Sequence, residues 1–296
     1  MKAITSVFLA LALAFCLAPG QAANADKLKI VTTTTDIKDL VMSVGGRHVQ
    51  VESIAAPSQD PHSIELKPFQ IDRLKKADLV IRIGLDHEPW LSRIKMTKQV
   101  LDASVGVPLL QAETPRLRVE RRAHSHAFGN PHYWLDPENA KPITASIVEA
   151  LGKLDPAHKA EYEKNRMDFI GKLDARLKAW KEALAPYRGT KVVVMHDSWP
   201  YFAARFGLSI VAAAEPTPGV PPSPSELAKL FERMRQHNVR FLIADPSSNP
   251  TLVKQVAEKG LAKEIILLPS VGAGPEATDY ISLFEVNVQR LLKAVK

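Results

Sequence analysis

Short apolar runs alternate with amphipathic stretches along most of this chain, and the alternation predicts an α/β fold with parallel strands. Leu28 to Thr33 reads as a first strand, and Asp36 to Val44 as a helix closed by Gly45-Gly46. Val49 to Ala55 reads as a second strand, Pro68 to Lys76 as a helix, and Asp78 to Ile83 as a third strand. A weaker fourth unit ends at Pro108-Leu109-Leu110. The stretch from Glu113 to Pro131 is polar and has no apolar period, so it reads as a loop; Pro137 opens a helix to about Leu154.

Asp155-Pro156 opens a long helical stretch, from Ala157 to about Leu184. Its apolar residues include Tyr162, Met167, Phe169, Ile170, Leu173, Leu177, Trp180 and Leu184, many of them three or four apart as on one helical face. At about 1.5 Å per residue such a helix is roughly 40 Å long, suited to a strut between two lobes. The alternation then resumes: strand Lys191 to Met195, helix Trp199 to Phe206 ended by Gly207, strand Ser209 to Ala214. Ser223-Pro224-Ser225-Glu226 is a capping-box pattern opening a helix to about His237. Strands at Arg240 to Ala244 and Glu264 to Leu268 flank a helix at Thr251 to Glu258, and a last helix runs from about Thr278 to Ala294. No internal repeat is strong enough to assert. The expected organisation is a leader at 1–25, an α/β lobe at 26–155, a linking helix at 156–187 and a second α/β lobe at 188–296, each lobe a small parallel sheet flanked by helices.

The leader follows from residue order. Met1-Lys2 is a short positive region, Ile4 to about Ala18 is apolar, and Ala23-Asn24-Ala25 is a small-x-small cleavage pattern, together a secretory signal peptide. The run is short for a membrane span, which needs roughly 20 apolar residues. Phe15 precedes Cys16 where a lipoprotein signal has a small residue, so lipid anchoring is the lesser reading. Cleavage after Ala25 leaves a chain without cysteine, placed in the periplasm, in which a transition metal is held by imidazole and carboxylate rather than thiolate. The formal charge is +7, with basic residues dispersed among acidic ones. The densest basic run is Arg116, Arg118, Arg121 and Arg122, which reads as a solvated loop of an exported protein rather than a nucleic-acid surface.

Three of the nine histidines stand in unusual contexts. His62 lies in Asp60-Pro61-His62-Ser63 after the second strand, His132 in Asn130-Pro131-His132-Tyr133-Trp134-Leu135-Asp136-Pro137, and His196 in Met195-His196-Asp197-Ser198 at the end of a strand. Ligands of open α/β sheets collect at the carboxyl ends of strands. Three neutral imidazoles with a fourth open or carboxylate position form a recognised zinc arrangement. Pro61 and Pro131 stiffen the loops that carry the ligands. Spacing by itself matches no compact metal motif, and on spacing alone each histidine is better read as an ordinary surface or core residue. His48, His158 and His237 read as surface residues, and His87 as structural although it follows the third strand. His124 and His126 form a His-x-His pair in the polar loop, either an auxiliary metal collector or solvated residues.

The stretches at 60–68, 77–91, 130–137 and 196–208 resemble, in the same order, the zinc/manganese cluster of solute-binding proteins of ABC transporters. The resemblance covers essentially the whole chain after the leader. It implies two α/β lobes bridged by one long helix, His62, His132 and His196 as metal ligands, and a permease in the inner membrane as partner of a monomeric receptor. It implies zinc as the ion, with manganese the alternative, because manganese sites use more oxygen ligands. Pro269 stands where the family often has a ligating Asp, so the fourth position falls to water or to Asp245, Asp279 or Glu65. The competing reading from the same histidines is a zinc hydrolase, but no His-Glu-x-x-His pattern is present. Imidazole ligands also imply metal affinity that falls as pH drops through roughly 6.5.

Overall fold

Apolar side chains make up most of the strand residues, and the strands form two separate four-stranded sheets. The computed structural model describes residues 27–57, 59–96, 98–110, 129–215 and 221–296. The expected leader with Cys16, the Arg116–Arg122 run, and His124 and His126 lie outside the described residues. The first sheet contains β1 (Leu28–Thr32), β2 (Val49–Ser53), β3 (Leu79–Arg82) and β4 (Gln99–Asp102), in the order β2-β1-β3-β4. The second contains β5 (Lys191–Val194), β6 (Ser209–Ala213), β7 (Phe241–Ala244) and β8 (Lys263–Ile266), in the order β6-β5-β7-β8. Every strand pair is parallel. The two sheets therefore share one strand order, a structural repeat that the sequence does not display. In each, the chain leaves the first strand toward one side and later crosses to the other. That reversal leaves a crevice at the carboxyl ends of the central strands.

The helices are α1 (Thr35–Gly45), α2 (Pro68–Lys76), α3 (Ala140–Leu154), α4 (Lys159–Leu184), α5 (Pro200–Phe206), α6 (Pro224–Gln236), α7 (Pro250–Gly260) and α8 (Tyr280–Val295). Their starts follow capping chemistry. Thr34 caps α1 by accepting from the Ile37 amide, and Ser223 with Glu226 forms the reciprocal capping box of α6. No helix among the described residues is long and apolar enough to cross a membrane.

Helix α4 buries Tyr162, Phe169, Leu173, Leu177, Trp180 and Leu184, a stripe of three- and four-residue steps after an initial seven-residue step of two turns. Each such burial contributes on the order of 1.5–3 kcal/mol. Its first half is fastened to the first lobe, where the Asn165 side-chain amide donates to the Val44 carbonyl at 3.0 Å and the Arg166 guanidinium donates to the Lys141 carbonyl at 3.0 Å. Its second half reaches the second lobe, where the Trp180 indole donates to Glu285 at 2.8 Å and stacks obliquely on Phe284. One apolar core runs without interruption from Ile30 and Leu40 through Trp134 and Leu173 to Val194, Phe284 and Leu291. The lobes thus share a core rather than meeting at a solvated seam.

Candidate metal centre

Each of the three singled-out histidines sits in or beside a short turn. His62 lies in the turn Pro61–Ser63, after β2. The Asp60 carboxylate fixes that turn by accepting from the His62 amide at 2.9 Å and from the Ser63 hydroxyl at 3.1 Å. The Trp90 indole donates to the Pro61 carbonyl at 2.8 Å and holds the turn from the other side. His196 follows β5 and precedes α5. His132 leads into the turn Tyr133–Leu135.

These turns bring the three imidazoles together. One ring nitrogen from each of His62, His132 and His196 lies within 4.8 Å of the others. The Nε2 atoms of His62 and His132 are 3.5 Å apart. A tetrahedral zinc with bonds of about 2.0–2.1 Å sets neighbouring ligand nitrogens roughly 3.3 Å apart, so this spacing is already that of two ligands of one ion. His132 is buried, and His62 and His196 are half-buried. The three histidines face a cleft between the lobes of about 580 Å³, lined also by Glu215, Asp245 and Pro269.

The tautomer of His132 follows from Asn130. The Asn130 Oδ1 accepts the His132 backbone amide at 3.0 Å, and its Nδ2 donates to the Asp197 carbonyl at 2.9 Å. A backbone amide only donates and a carbonyl only accepts, so the orientation of the Asn130 amide is fixed. The same Oδ1 lies 2.9 Å from the His132 Nδ1, which must therefore carry hydrogen. In the neutral ring the lone pair is then on Nε2, the atom that faces His62. This is the support that metal-bound histidines receive from a neighbouring acceptor. In the sequence, the only sign of this role is an amide residue two positions before His132.

Burial holds the His196 imidazole below its ordinary range, against the opposing pull of Asp245 and Asp60. The ring therefore keeps its lone pair available to lower pH. Glu215, not singled out from sequence, is pushed up by burial and then by Asp245. Of the fourth-position candidates, Asp245 alone lines the cleft. Its Oδ1 accepts from the Ser247 amide at 2.9 Å and the Ser247 hydroxyl at 2.5 Å. Asp279 is committed to capping α8, where it accepts from the Ser282 amide, and Glu65 is exposed outside the cleft. Pro269 lines the cleft, and its carbonyl accepts from the Trp134 indole at 3.0 Å. His87 also lines the cleft but is fully buried, its ring centroid 4.1 Å from that of His62 in a T-shaped contact. It does not join the mutually close set of ring nitrogens of His62, His132 and His196.

A family model described as ZnuA, zinc-uptake complex component A, periplasmic, matches residues 30–294. The zinc-binding lipoprotein AdcA of Streptococcus pneumoniae serotype 4 is 27% identical over 304 residues, which cover 98% of this chain and 60% of AdcA. The chain thus spans about 60% of that relative's length. The high-affinity zinc uptake system protein ZnuA of Brucella abortus is 30% identical over 165 residues, 56% of this chain and 48% of that protein. A crystal structure of ZnuA matches with a TM-score of 0.78 and 26% identity, covering 92% of this chain and 100% of the other. The match of the family model over nearly the whole described length, on a fold with this site, means that the chain belongs to the family of periplasmic component A proteins of zinc-uptake complexes.

Proposed function

We propose that the chain captures one zinc ion in the cleft with His62, His132 and His196 and delivers it to the permease of an ABC importer. The observation that carries the reading is the convergence of three imidazole nitrogens within 4.8 Å of one another on turns from both lobes. Three nitrogen donors suit zinc better than manganese, which prefers oxygen, and make manganese the alternative cargo. The fourth place falls to water or to Asp245, the one candidate on the cleft wall. The zinc is cargo, so no residue need act as base or nucleophile; the family is one of solute-binding components and not of enzymes. Its members act outside the cytoplasm, and release into the periplasm after cleavage of residues 1–25, as a monomer, completes the reading.

Titration calorimetry of metal-stripped protein with zinc and with manganese tests it. The expected result is tight uptake of zinc in the cleft, weaker uptake of manganese, and loss of the tight phase in each of His62→Ala, His132→Ala and His196→Ala. A tight phase that survives all three substitutions would show that the ion is held elsewhere.

A further inference from the structure

A second group of metal-binding side chains lies at the opposite end of the first lobe. His48 closes the turn Gly46–His48 that follows α1 and precedes β2. It therefore stands at the amino end of β2, whereas His62 lies beyond the carboxyl end; five strand residues separate the ends by about 16 Å. Asp155 and His158 belong to the junction between α3 and α4, and Glu161 to the first turn of α4. One ligand atom from each of His48, Asp155 and His158 lies within 4.8 Å of the other two. The two imidazole rings stack with centroids 3.8 Å apart at 25°.

Each ring is oriented by a carboxylate. The His158 Nδ1 is 2.7 Å from the Asp155 Oδ2, which also accepts the Tyr162 hydroxyl at 2.7 Å. Burial would raise the Asp155 carboxyl, but the bonds from Tyr162 and His158 outweigh it and hold the group below the usual carboxylate range. It is thus an acceptor, His158 donates from Nδ1, and the lone pair of the neutral ring is on Nε2. The His48 Nε2 is 2.9 Å from the Glu161 Oε2. The Arg47 guanidinium also approaches the same His48 nitrogen, at 3.3 Å, but that nitrogen cannot both donate to Glu161 and accept from Arg47. The shorter, charge-assisted contact to Glu161 prevails, which puts the His48 lone pair on Nδ1. A carboxylate on the far nitrogen of a histidine is the usual support of a metal-bound imidazole.

We propose that His48 and His158, each oriented by its carboxylate, Glu161 and Asp155, form a second binding site for a divalent transition metal of the zinc, copper or nickel class. Imidazole nitrogens, with water completing the coordination, are donors such ions take, and copper binds them more tightly than zinc in the Irving–Williams order. Tetrahedral ligands lie roughly 3.3 Å apart, so side-chain rotations of about 1 Å close the set around an ion. All groups are partly exposed, so the ion enters from solvent and exchanges without passing through the cleft. Bound there, it ties the turn before β2 to the start of α4 and stabilises that end of the first lobe.

The test uses the full chain carrying His62→Ala, His132→Ala and His196→Ala, which removes the cleft ligands, and the same chain with His48→Ala and His158→Ala added. Zinc binding is followed by calorimetry and by the shift of the thermal midpoint, and copper by its electron paramagnetic resonance spectrum. The expected outcome is one zinc per chain and a raised midpoint in the first protein, with both lost in the second, and a nitrogen-coordinated copper signal in the first alone. Should the triple variant not fold, the second zinc equivalent is measured in the otherwise unaltered chain with Glu161→Gln or His158→Gln, which are expected to weaken it roughly tenfold or more while leaving the cleft equivalent intact. Absence of uptake at millimolar zinc, or uptake unchanged by loss of His48 and His158, overturns the proposal.

Discussion

At the scale of single residues, Asn130 is the side chain on which the cleft chemistry most depends without itself being a candidate ligand. By accepting from both the amide and the ring of His132, it fixes the turn and the tautomer together. Asn130→Ala is expected to weaken zinc roughly 10- to 100-fold, with the fold and the cleft stoichiometry retained, as measured by competition with a chromophoric chelator. An unchanged affinity would mean that His132 finds its tautomer without help. A second expectation concerns pH. A histidine whose folded-state pKa is depressed favours the neutral ring, so protons compete with metal only once pH falls through that lowered value. For His196, held down by burial, the proton resonance of the ring in metal-free protein should titrate with a midpoint below the ordinary value of about 6.5. Zinc retention should accordingly extend lower than three ordinary imidazoles allow, and a midpoint at or above the ordinary value would refute this. The three candidate ligands were legible from their contexts and from the resemblance: His62 and His132 each follow a proline, and His196 stands at the end of a strand. Asn130 was not, because its part lies in accepting hydrogen bonds and not in coordination. His48 and Glu161, 113 positions apart, carry no sequence signal of their pairing.

At the scale of elements, hydrophobic period located the helices and most strands, and it failed where the local signal was weak. β4 lies at Gln99–Asp102, ahead of the Pro108-Leu109-Leu110 that marks the end of its unit. It is a four-residue edge strand, half-exposed along most of its length, and so lacks the continuous apolar run of a central strand. On α4, Met167 is exposed although apolar, because it stands two positions before Phe169 and thus nearly opposite on the helix. The attachment of α8 to the second sheet depends on a residue that no period reveals. Asn287 is fully buried, accepts the Leu268 amide at 2.7 Å and donates to the Leu268 carbonyl at 2.8 Å. One side chain thereby satisfies both backbone groups of the residue that leads from β8 into the cleft. Asn287→Ala leaves a buried donor and acceptor without partners, and is expected to cost roughly 2–4 kcal/mol. Chemical denaturation should show a lowered midpoint with an unchanged slope. A loss within about 0.5 kcal/mol, the range of ordinary surface substitutions, would show that these groups find other partners.

At the scale of the whole molecule, the shared core and the bonds around the cleft floor decide how far the lobes can move. The Tyr280 hydroxyl donates to the Trp134 carbonyl at 2.6 Å, and the Trp134 indole donates to the Pro269 carbonyl at 3.0 Å. Buried Asp36 accepts the Val271 amide at 3.0 Å, and the Thr35 hydroxyl donates to the Val271 carbonyl at 2.8 Å. On the far wall the Tyr201 hydroxyl donates to the Asn130 carbonyl at 2.8 Å. Hinge opening of the kind used by receptors with flexible linkers would break these bonds between buried groups. It would also expose apolar core and bend α4, which is fastened to both lobes. Zinc is one ion contacting a few turns, and its differential affinity for closed over open forms would have to offset all of that. The expected response to metal is therefore confined to the turns that carry His62 and His132, with the lobes fixed. Spin labels at Lys75→Cys on α2 and Glu232→Cys on α6, both exposed, report the distance between the outer faces of the lobes, and Cys16 within the expected leader is the one native cysteine. Double electron–electron resonance should give the same distance distribution in metal-free and zinc-loaded protein. A shift of several ångströms on adding zinc would mean that the shared core yields as a hinge, and that the permease distinguishes loaded from empty receptor by lobe closure and not by the ordering of the cleft turns.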